Sequence, residues 1–175
     1  MEKKVEQMNA PRGPRYASRV SCILTADPDP FLTLPGVDLD ADRSWERFRR
    51  RYLLHRVLHP VRCARGLLSF QKASTRLSLG PGRYLGTRVI ELKRVRGSVG
   101  RGGDFTIGFL PRKKSIEQRW KSMWKRMLAG GLPPIEVYQV GGTYFVADGH
   151  HRVSVAMQLG MKTLEAYVYE FPGPS

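Results

Sequence analysis

The sequence predicts a mixed α/β domain over residues 87–171, preceded by a basic helical segment at 43–80 and a flexible arm and loop at 1–42. Two strand patterns separated by two glycines, IEVYQV and TYFVAD, predict a β-hairpin over residues 135–148. Apolar residues recur at helical spacing from Ser115 to Ala129, which predicts a helix just before that hairpin. Hydrophobic residues make up 41% of the 175 positions, enough for one ordinary core.

The first 42 residues are rich in proline, glycine and charge, and predict a frayed arm followed by an extended loop. The short apolar run VSCILT at residues 20–25 indicates one strand or a packing anchor. Asp42 or Ser44 is expected to cap the helix that follows, because short polar side chains bond the free N–H groups of a first turn.

A cytoplasmic location is expected from three absences in the sequence. The sequence contains no run of 18 apolar residues, which a transmembrane segment would need. The start of the chain lacks the apolar stretch of a secretory signal. Two cysteines, Cys22 and Cys63, are too few for a disulfide framework or a zinc site, so we expect a reducing compartment.

The segment from Trp45 to Leu58 predicts an amphipathic helix, which Pro60 stops or kinks. Its apolar positions near one face are Trp45, Phe48, Tyr52 and Val57. Residues 61–73 predict a second, shorter helix. Both helices are basic, and such helices dock on nucleic acid, on membranes or on the rest of their own protein. The pattern leaves these three alternatives open.

The predicted domain begins after a turn-rich linker at residues 79–86, LGPGRYLG, where we place a domain boundary. Its elements follow in the order strand, glycine-rich loop, helix, hairpin, helix and strand. The two outer strands are expected at 87–92 and 164–171, and the loop at 95–105. The second helix is expected from His151 to Leu159, closed by a glycine.

Charge is the strongest compositional signal. The chain has 30 Lys and Arg against 15 Asp and Glu, and residues 43–126 alone carry a net +19. Such an excess favours a polyanionic partner, with DNA or RNA first and an acidic membrane second. The expected nucleic-acid contacts are Arg47, Arg49, Arg50, Arg51, Arg112, Lys113 and Lys114. The alternative is a solvated basic face that binds nothing.

The run Asp148-Gly149-His150-His151-Arg152 lies where a predicted strand meets a predicted helix. A helix N-terminus presents unpaired N–H groups, Gly149 allows close backbone approach, and Arg152 can bind phosphate oxygens with two nitrogens. The turn is therefore suited to hold a phosphate or pyrophosphate. Asp148 could instead cap the helix, orient a histidine, bind a sugar hydroxyl or join a metal shell. No metal site is predicted, because the His-x₃-His spacing is absent.

The stretch IEVYQVGGTYFVADGHHRVSVAMQLGMKTLEAYV resembles the ParB/sulfiredoxin superfamily, including its ParB-like nuclease domains, and RVIELKRVRGSVGR is similar to the first box of that superfamily. The resemblance covers residues 87–170, about half the chain, and the DGHHR turn is most similar to the free-serine-kinase type. It implies a ParB/sulfiredoxin-like sheet with helices and a site for a nucleotide di- or triphosphate, CTP or ATP, with or without Mg²⁺. The implied phosphate ligands are Gly149, His150, His151, Arg152 and, from the facing loop, Arg101.

Three departures from the superfamily limit what the resemblance implies. His150 stands at the position of the sulfiredoxin cysteine, so sulfinic acid reduction is not expected. Residues 95–103 contain no counterpart of the kinase glutamate, and no helix-turn-helix follows the last predicted strand. Asp104 and Asp148 are the nearest carboxylates, so an enzyme would draw its catalytic residues from His150, His151 and Asp148.

Three functions remain open at this point. The first is a nucleotide-binding ParB-like protein that also contacts nucleic acid through its basic surface. The second is a nucleotide-dependent phosphotransferase or a nuclease of the same superfamily. The third is a protein that binds nucleic acid by charge alone, with a purely structural DGHHR turn. A homodimer is compatible with each of them.

Overall fold

The computed structural model describes residues 35–58 and 66–173, which form four α-helices and a six-stranded sheet. The elements in chain order are α1 (Pro35–Leu58), β1 (Leu68–Ser69), α2 (Phe70–Leu77), β2 (Arg83–Glu91), β3 (Val95–Ser98), α3 (Glu117–Ala129), β4 (Ile135–Val140), β5 (Thr143–Asp148), α4 (His150–Gln158) and β6 (Thr163–Glu170). The predicted mixed α/β class is confirmed. The predictions for the arm, for the apolar run at 20–25 and for both cysteines concern residues outside this description.

The six strands lie in the order β1-β3-β5-β4-β6-β2. Three neighbouring pairs are parallel, namely β1 with β3, β3 with β5, and β4 with β6. The antiparallel pairs are β4 with β5 and β2 with β6. The predicted hairpin is confirmed with its bounds, and its two-residue turn is Gly141-Gly142, where Gly141 takes a positive φ of 55°. The hairpin therefore lies at the centre of the sheet and carries the chain into α4.

Both faces of the sheet are covered by helices. On one face, α3 and α4 enclose a core that includes Val137, Val146 and Val168. On the other face, Phe70 of α2 packs with Phe145 and Phe171. Helix α1 forms an outer layer on α3, with aromatic contacts among Trp45, Phe48, Trp120 and Trp124. Helices α3 and α4 are thereby fixed between the sheet and α1.

Helix α1 begins earlier than the sequence predicted. It starts at Pro35, so Asp42 and Ser44 lie inside the helix and the prediction that either one caps it is wrong. Proline is tolerated in a first helical turn, and aspartates near a helix N-terminus complement its dipole, which explains the early start. Val57 does not share the buried face of Tyr52 and is 77% exposed, because five residues rotate the helix to about 140° away from the starting position.

The predicted second helix at 61–73 is wrong in its middle part. Leu68 and Ser69 form β1, an edge strand that pairs with β3. Helix α2 starts only at Phe70, where the Ser69 hydroxyl accepts a 3.4 Å hydrogen bond from the Lys72 N–H. A serine at this position ends the strand and caps the helix, so the change of structure falls within one residue.

Strand β2 begins at Arg83, inside the segment predicted to be a linker. Gly86 has a φ of +84°, and the pairing with β6 shifts between Tyr84 and Thr87. The glycine therefore produces a bulge within a longer strand, which the pattern alone does not distinguish from a turn. The division of the chain at this linker, with a basic helical segment at 43–80 and a domain at 87–171, stays a prediction.

The predicted loop at 95–105 is a strand over its first four residues, Val95–Ser98. A Cβ atom on Gly97 would lie 2.1 Å from the Phe145 ring of the neighbouring strand. The glycine is thus required by a close strand-to-ring contact rather than by a turn. The loop itself begins only after Ser98.

Within residues 35–58 and 66–173, no helix combines the length and apolarity needed to cross a bilayer. The longest described helix is α1, with 24 residues, and arginine and aspartate side chains interrupt its apolar positions.

Candidate functional site

Gly149 makes the turn from β5 into α4. It occupies the N-cap position of the helix with a φ of +94° and no side-chain capping bond. A Cβ atom at this position would lie 2.5 Å from the Cγ2 atom of Ile135, so both conformation and space require glycine. Asp148 therefore does not cap the helix. The first-turn N–H groups of α4 are therefore not bonded by a capping side chain and remain available as donors, as the sequence predicted.

His150 connects the start of α4 to the loop after β3. Its Nε2 atom lies 2.7 Å from the Ser98 hydroxyl, which also accepts the backbone N–H groups of Gly100 and Arg101 at 3.3 and 2.7 Å. Because backbone N–H groups only donate, the hydroxyl proton goes to His150 and the ring proton lies on Nδ1. Burial, followed by the charge of Arg101, lowers the pKa of His150 to about 4, so the ring is neutral at physiological pH.

His151 is buried, but its hydrogen bonding is incomplete. Its Nε2 atom accepts a long 3.5 Å contact from Arg101 Nη1, and its ring meets Phe105 edge-on. The Nδ1 atom is buried and has no hydrogen-bond partner among the described residues. Burial, followed by the charges of Arg101 and Arg119, lowers the pKa of His151 to about 4. The ring is therefore a neutral group held in a positive electrostatic potential.

A cleft of about 290 Å³ opens beside His151. The other residues that line it are Arg101, Asp104, Lys113, Ser115, Ile116 and Arg119. Three of these side chains are cationic and one is a carboxylate. Lys113 Nζ binds Asp104 at 2.7 Å, and this hydrogen bond is the main cause of the lowered pKa of Asp104. The excess positive charge and the adjacent N-terminus of α4 suit the cleft to an anion.

A buried chain of hydrogen bonds fixes the elements around the cleft. The indole N–H of Trp120 in α3 donates to the Ser154 hydroxyl in α4 at 3.0 Å. That hydroxyl donates in turn to the Phe109 carbonyl at 2.7 Å, in the loop that carries Asp104 and Lys113. All three side chains are buried. One serine therefore joins two helices and the cleft loop.

Arg152 lies in a different environment from its neighbour His151. Its guanidinium donates to the carbonyls of Pro133 and Pro134, the latter at 2.9 Å, and to the Asp148 carboxylate at 2.6 Å. It lines a separate, mostly apolar groove of about 370 Å³. These contacts weigh against a role for its side chain in the cleft.

The structure thus brings together only part of the predicted phosphate site. Arg101 and His151 share the cleft, Gly149 and His150 lie next to it, and Arg152 is not among its lining residues. Asp148 is largely exposed and paired with Arg152, so it does not reach the cleft lining either.

The predicted nucleic-acid residues lie in two places. On α1, Arg47, Arg50 and Arg51 are exposed and Arg49 is half-buried. In the cleft loop, Lys113 and Lys114 are exposed and Arg112 is half-buried, and Lys113 lines the cleft. No group of three or more His, Cys, Asp or Glu side chains in the described part of the chain could hold a metal ion.

Sequence reasoning did not single out Arg119 or Ser98. Arg119 lies in the first turn of α3, where the helix dipole disfavours a cation. An arginine at such a position can indicate an anion site, and this is the signal by which the sequence could have identified Arg119. Ser98 is the last residue of a strand that the glycine-rich pattern concealed, so no comparable signal marked it.

Comparisons with solved structures find chains of similar fold. No family model and no curated protein matches the chain. The chain is similar to sulfiredoxin from Arabidopsis thaliana, with 21% identity and a TM-score of 0.38 over 49% of this chain and 86% of that one. It is also similar to a conserved hypothetical protein from Pyrococcus furiosus, with 16% identity and a TM-score of 0.36 over 51% of this chain and 34% of the other. At these scores neither likeness carries an argument about the chemistry of the site.

Proposed function

We propose that this protein binds a nucleotide di- or triphosphate, CTP or ATP, with the phosphates in the cleft beside His151. The observation that carries the proposal is the convergence of Arg101, Lys113 and Arg119 on one side of a buried histidine at a helix N-terminus. Each arginine can donate to two phosphate oxygens, and the first turn of α4 adds backbone N–H donors.

The electrostatics of the cleft favour an anion of high charge. Together with burial, the charges of Arg101 and Arg119 lower the pKa of His151, which means that the cleft disfavours a further positive charge. A bound phosphate would reverse that effect and raise the pKa of His151. Asp104 opposes the anion, and a Mg²⁺ ion carried by the phosphates would offset the charge of its carboxylate.

The size of the cleft agrees with the phosphates rather than with a whole nucleotide. Its volume of about 290 Å³ lies at the lower end of the ~300–1,000 Å³ typical of ligand pockets. The sugar and base would therefore extend outside the cleft. In this proposal the charged residues set the affinity, and the choice between CTP and ATP depends on contacts beyond the cleft.

Calorimetric titration with ATP, ADP, CTP, CDP and inorganic phosphate, each with and without Mg²⁺, tests the proposal. Arg101→Ala and Arg119→Ala should each weaken binding by about 1.5–3 kcal/mol, the strength of a charge-assisted hydrogen bond. The control is Arg88→Ala, an exposed arginine on β2 that does not line the cleft.

Absence of binding at millimolar nucleotide, or an equal loss in the control variant, would contradict the proposal. Analysis of the titrated nucleotide for released phosphate separates simple binding from the alternative, a phosphotransferase or nuclease. In that alternative the carboxylate in reach of the cleft is Asp104, which lines it. His150 is instead hydrogen bonded to Ser98.

Nucleic-acid contact is a second proposal, carried by the exposed arginines of α1. Arg47, Arg50 and Arg51 extend from a helix whose other face is buried against α3. Phosphate contacts of this kind give affinity with little sequence preference. For about five neutralised phosphates on a duplex, log K should fall with log salt with a slope of about −4.5.

Replacement of Arg47, Arg50 and Arg51 by glutamine should reduce the slope of log K against log salt for nucleic-acid binding. It should leave nucleotide binding at the cleft unchanged. Fluorescence anisotropy with duplex and single-stranded oligonucleotides at several salt concentrations measures it. An affinity that does not change between low and physiological salt would favour a basic face without a nucleic-acid role.

A further inference from the structure

The last two turns of α1 carry aliphatic side chains that pack against no other part of residues 35–58 and 66–173 closely enough to be buried. Leu53, Leu54, Val57 and Leu58 are between 48% and 77% exposed. We refer to these four residues as the exposed α1 face. Scattered exposed leucines are ordinary on a protein surface, but four within six residues of one helix form a contiguous apolar patch.

The exposed α1 face is directed away from the body of the molecule. Helix α1 packs on α3 through Trp45 and Phe48, and Tyr52 on the same side of the helix is buried as well. At 3.6 residues per turn, the exposed face is centred roughly 180° around the helix from that buried stripe. The described elements that α1 contacts therefore do not cover it, and it is open to a partner.

Positive charge accompanies this apolar patch. Arg50, Arg51 and Arg56 are exposed on the same turns, and residues 47–58 contain no acidic side chain. Aliphatic side chains among arginines offer the two contacts by which a helix binds a membrane surface, namely insertion of apolar side chains and attraction of positive charge to anionic headgroups. The long stems of arginine can remain in the apolar zone while the guanidinium groups reach phosphate headgroups.

We propose that the last two turns of α1 form a docking surface for an anionic lipid bilayer. The aliphatic side chains insert at the boundary of headgroups and acyl chains, and the arginines bind lipid phosphates. A second copy of the chain fits less well, because a symmetric contact through this face would bring the two arginine groups together. Nucleic acid supplies phosphates but no apolar medium for four aliphatic side chains.

Co-sedimentation of the full chain with vesicles tests this surface. One set of vesicles is phosphatidylcholine alone, and the other contains phosphatidylserine as well. Binding is expected only with phosphatidylserine. Leu54→Glu combined with Val57→Glu should reduce the fraction bound at least about tenfold, because both side chains would have to leave the apolar zone and both new charges oppose the lipid.

The matched control is Val89→Glu combined with Leu128→Glu, which places the same two charges on exposed apolar positions elsewhere. It should retain most of the binding. An equal loss in both double variants would mean that net charge alone governs binding, and this would overturn the proposal. Equal binding to phosphatidylcholine vesicles would do so as well.

The competing occupants are distinguished in the same preparation. A dimer in light scattering that Leu54→Glu with Val57→Glu dissociates, without vesicle binding by the unaltered chain, would assign the face to a second copy. Loss of oligonucleotide binding in this variant, again without vesicle binding by the unaltered chain, would assign it to nucleic acid. Circular dichroism and thermal melting should show unaltered folding, because both replaced residues are exposed in the native structure.

Discussion

His151 and Arg152 are neighbours in the first turn of α4, but their surroundings differ in one decisive respect. The Arg152 guanidinium is satisfied by two backbone carbonyls and a carboxylate. The His151 ring has a buried Nδ1 atom without a partner in the described residues and two arginines that disfavour its protonation. A polar group whose bonds are complete contributes to stability, whereas a buried group left incomplete marks a place where a ligand can bind. Within the DGHHR motif, Arg152 therefore contributes to stability and His151 marks the candidate binding site.

Of the side-chain replacements, that of Arg152 should have the largest effect on stability. Arg152→Ala removes the donors of the Pro133 and Pro134 carbonyls and leaves part of its buried site empty, so we expect the free energy of unfolding to fall by about 2–4 kcal/mol. Denaturant unfolding measures it. The control is Arg83→Ala, whose exposed ion pair with Glu170 should contribute less than about 1 kcal/mol.

Under conditions in which Arg152→Ala is folded, its nucleotide affinity should remain close to that of the unaltered protein. A loss of affinity without a loss of stability would place Arg152 in the phosphate site, as the resemblance to the superfamily implies, and would contradict the division between the two residues.

Acid should destabilise the protein through the two histidines. Their pKa values are lowered from 6.5 to about 4 in the folded state, so between those values the unfolded chain binds more protons than the native one. The free energy of unfolding should therefore be at its full value well above pH 6.5 and decrease by about 3 kcal/mol for each histidine, about 6 kcal/mol in all, as the pH falls to about 4.

Denaturant unfolding at a series of pH values measures this slope. Saturating nucleotide should displace the midpoint of His151 titration, followed by NMR, to higher pH. A midpoint near 6.5 for His150 or His151 in the unliganded protein would contradict the burial of that ring.

Removal of the buried hydroxyl that joins α3, α4 and the cleft loop should have an intermediate effect. Ser154→Ala leaves the Trp120 N–H and the Phe109 carbonyl without their partner, at a cost of about 1–2 kcal/mol in the free energy of unfolding. Ser122→Ala, an exposed serine on α3, is the control and should be close to neutral. An equal change in the two variants would show that the hydrogen-bond chain does not contribute.

The smallest effect on stability is expected for His151. Leucine at this position removes a buried Nδ1 group that has no partner, so the free energy of unfolding should change by less than about 1 kcal/mol. Nucleotide affinity should fall in the same variant. A large loss of stability would show that His151 is satisfied in solution, and the contrast with Arg152 would then disappear.

The sequence was most informative where local patterns and packing agree. The β4–β5 hairpin and its glycine turn were predicted with their bounds, because alternating apolar residues on both sides of Gly141-Gly142 permit one register. Glycine was ambiguous elsewhere. Gly86 marks a bulge within β2 and Gly97 a close contact with Phe145, but both read as loop residues, since the pattern does not show what lies opposite a glycine.

The candidate site was predictable in its residue types and only partly in its arrangement. Gly149 and His151 follow from the strand-to-helix turn, which is local. Arg119 reaches the cleft because α3 packs against α4, and Arg152 turns to the Pro133 carbonyl because the segment that leads into β4 passes nearby. Both outcomes depend on contacts between distant parts of the chain, which a single sequence does not specify.

The stacked indoles of Trp120 and Trp124, with ring centroids 5.3 Å apart, differ in the hydrogen bonding of their N–H groups. Trp120 donates its indole N–H to Ser154, whereas the Trp124 N–H is buried without a partner in the described residues. Ser154 in turn holds the loop through Phe109, so a departure of that loop frees the hydroxyl and loosens the Trp120 bond. Deuterium exchange at this single indole site should therefore report, without any attached label, how often the loop beside the cleft opens.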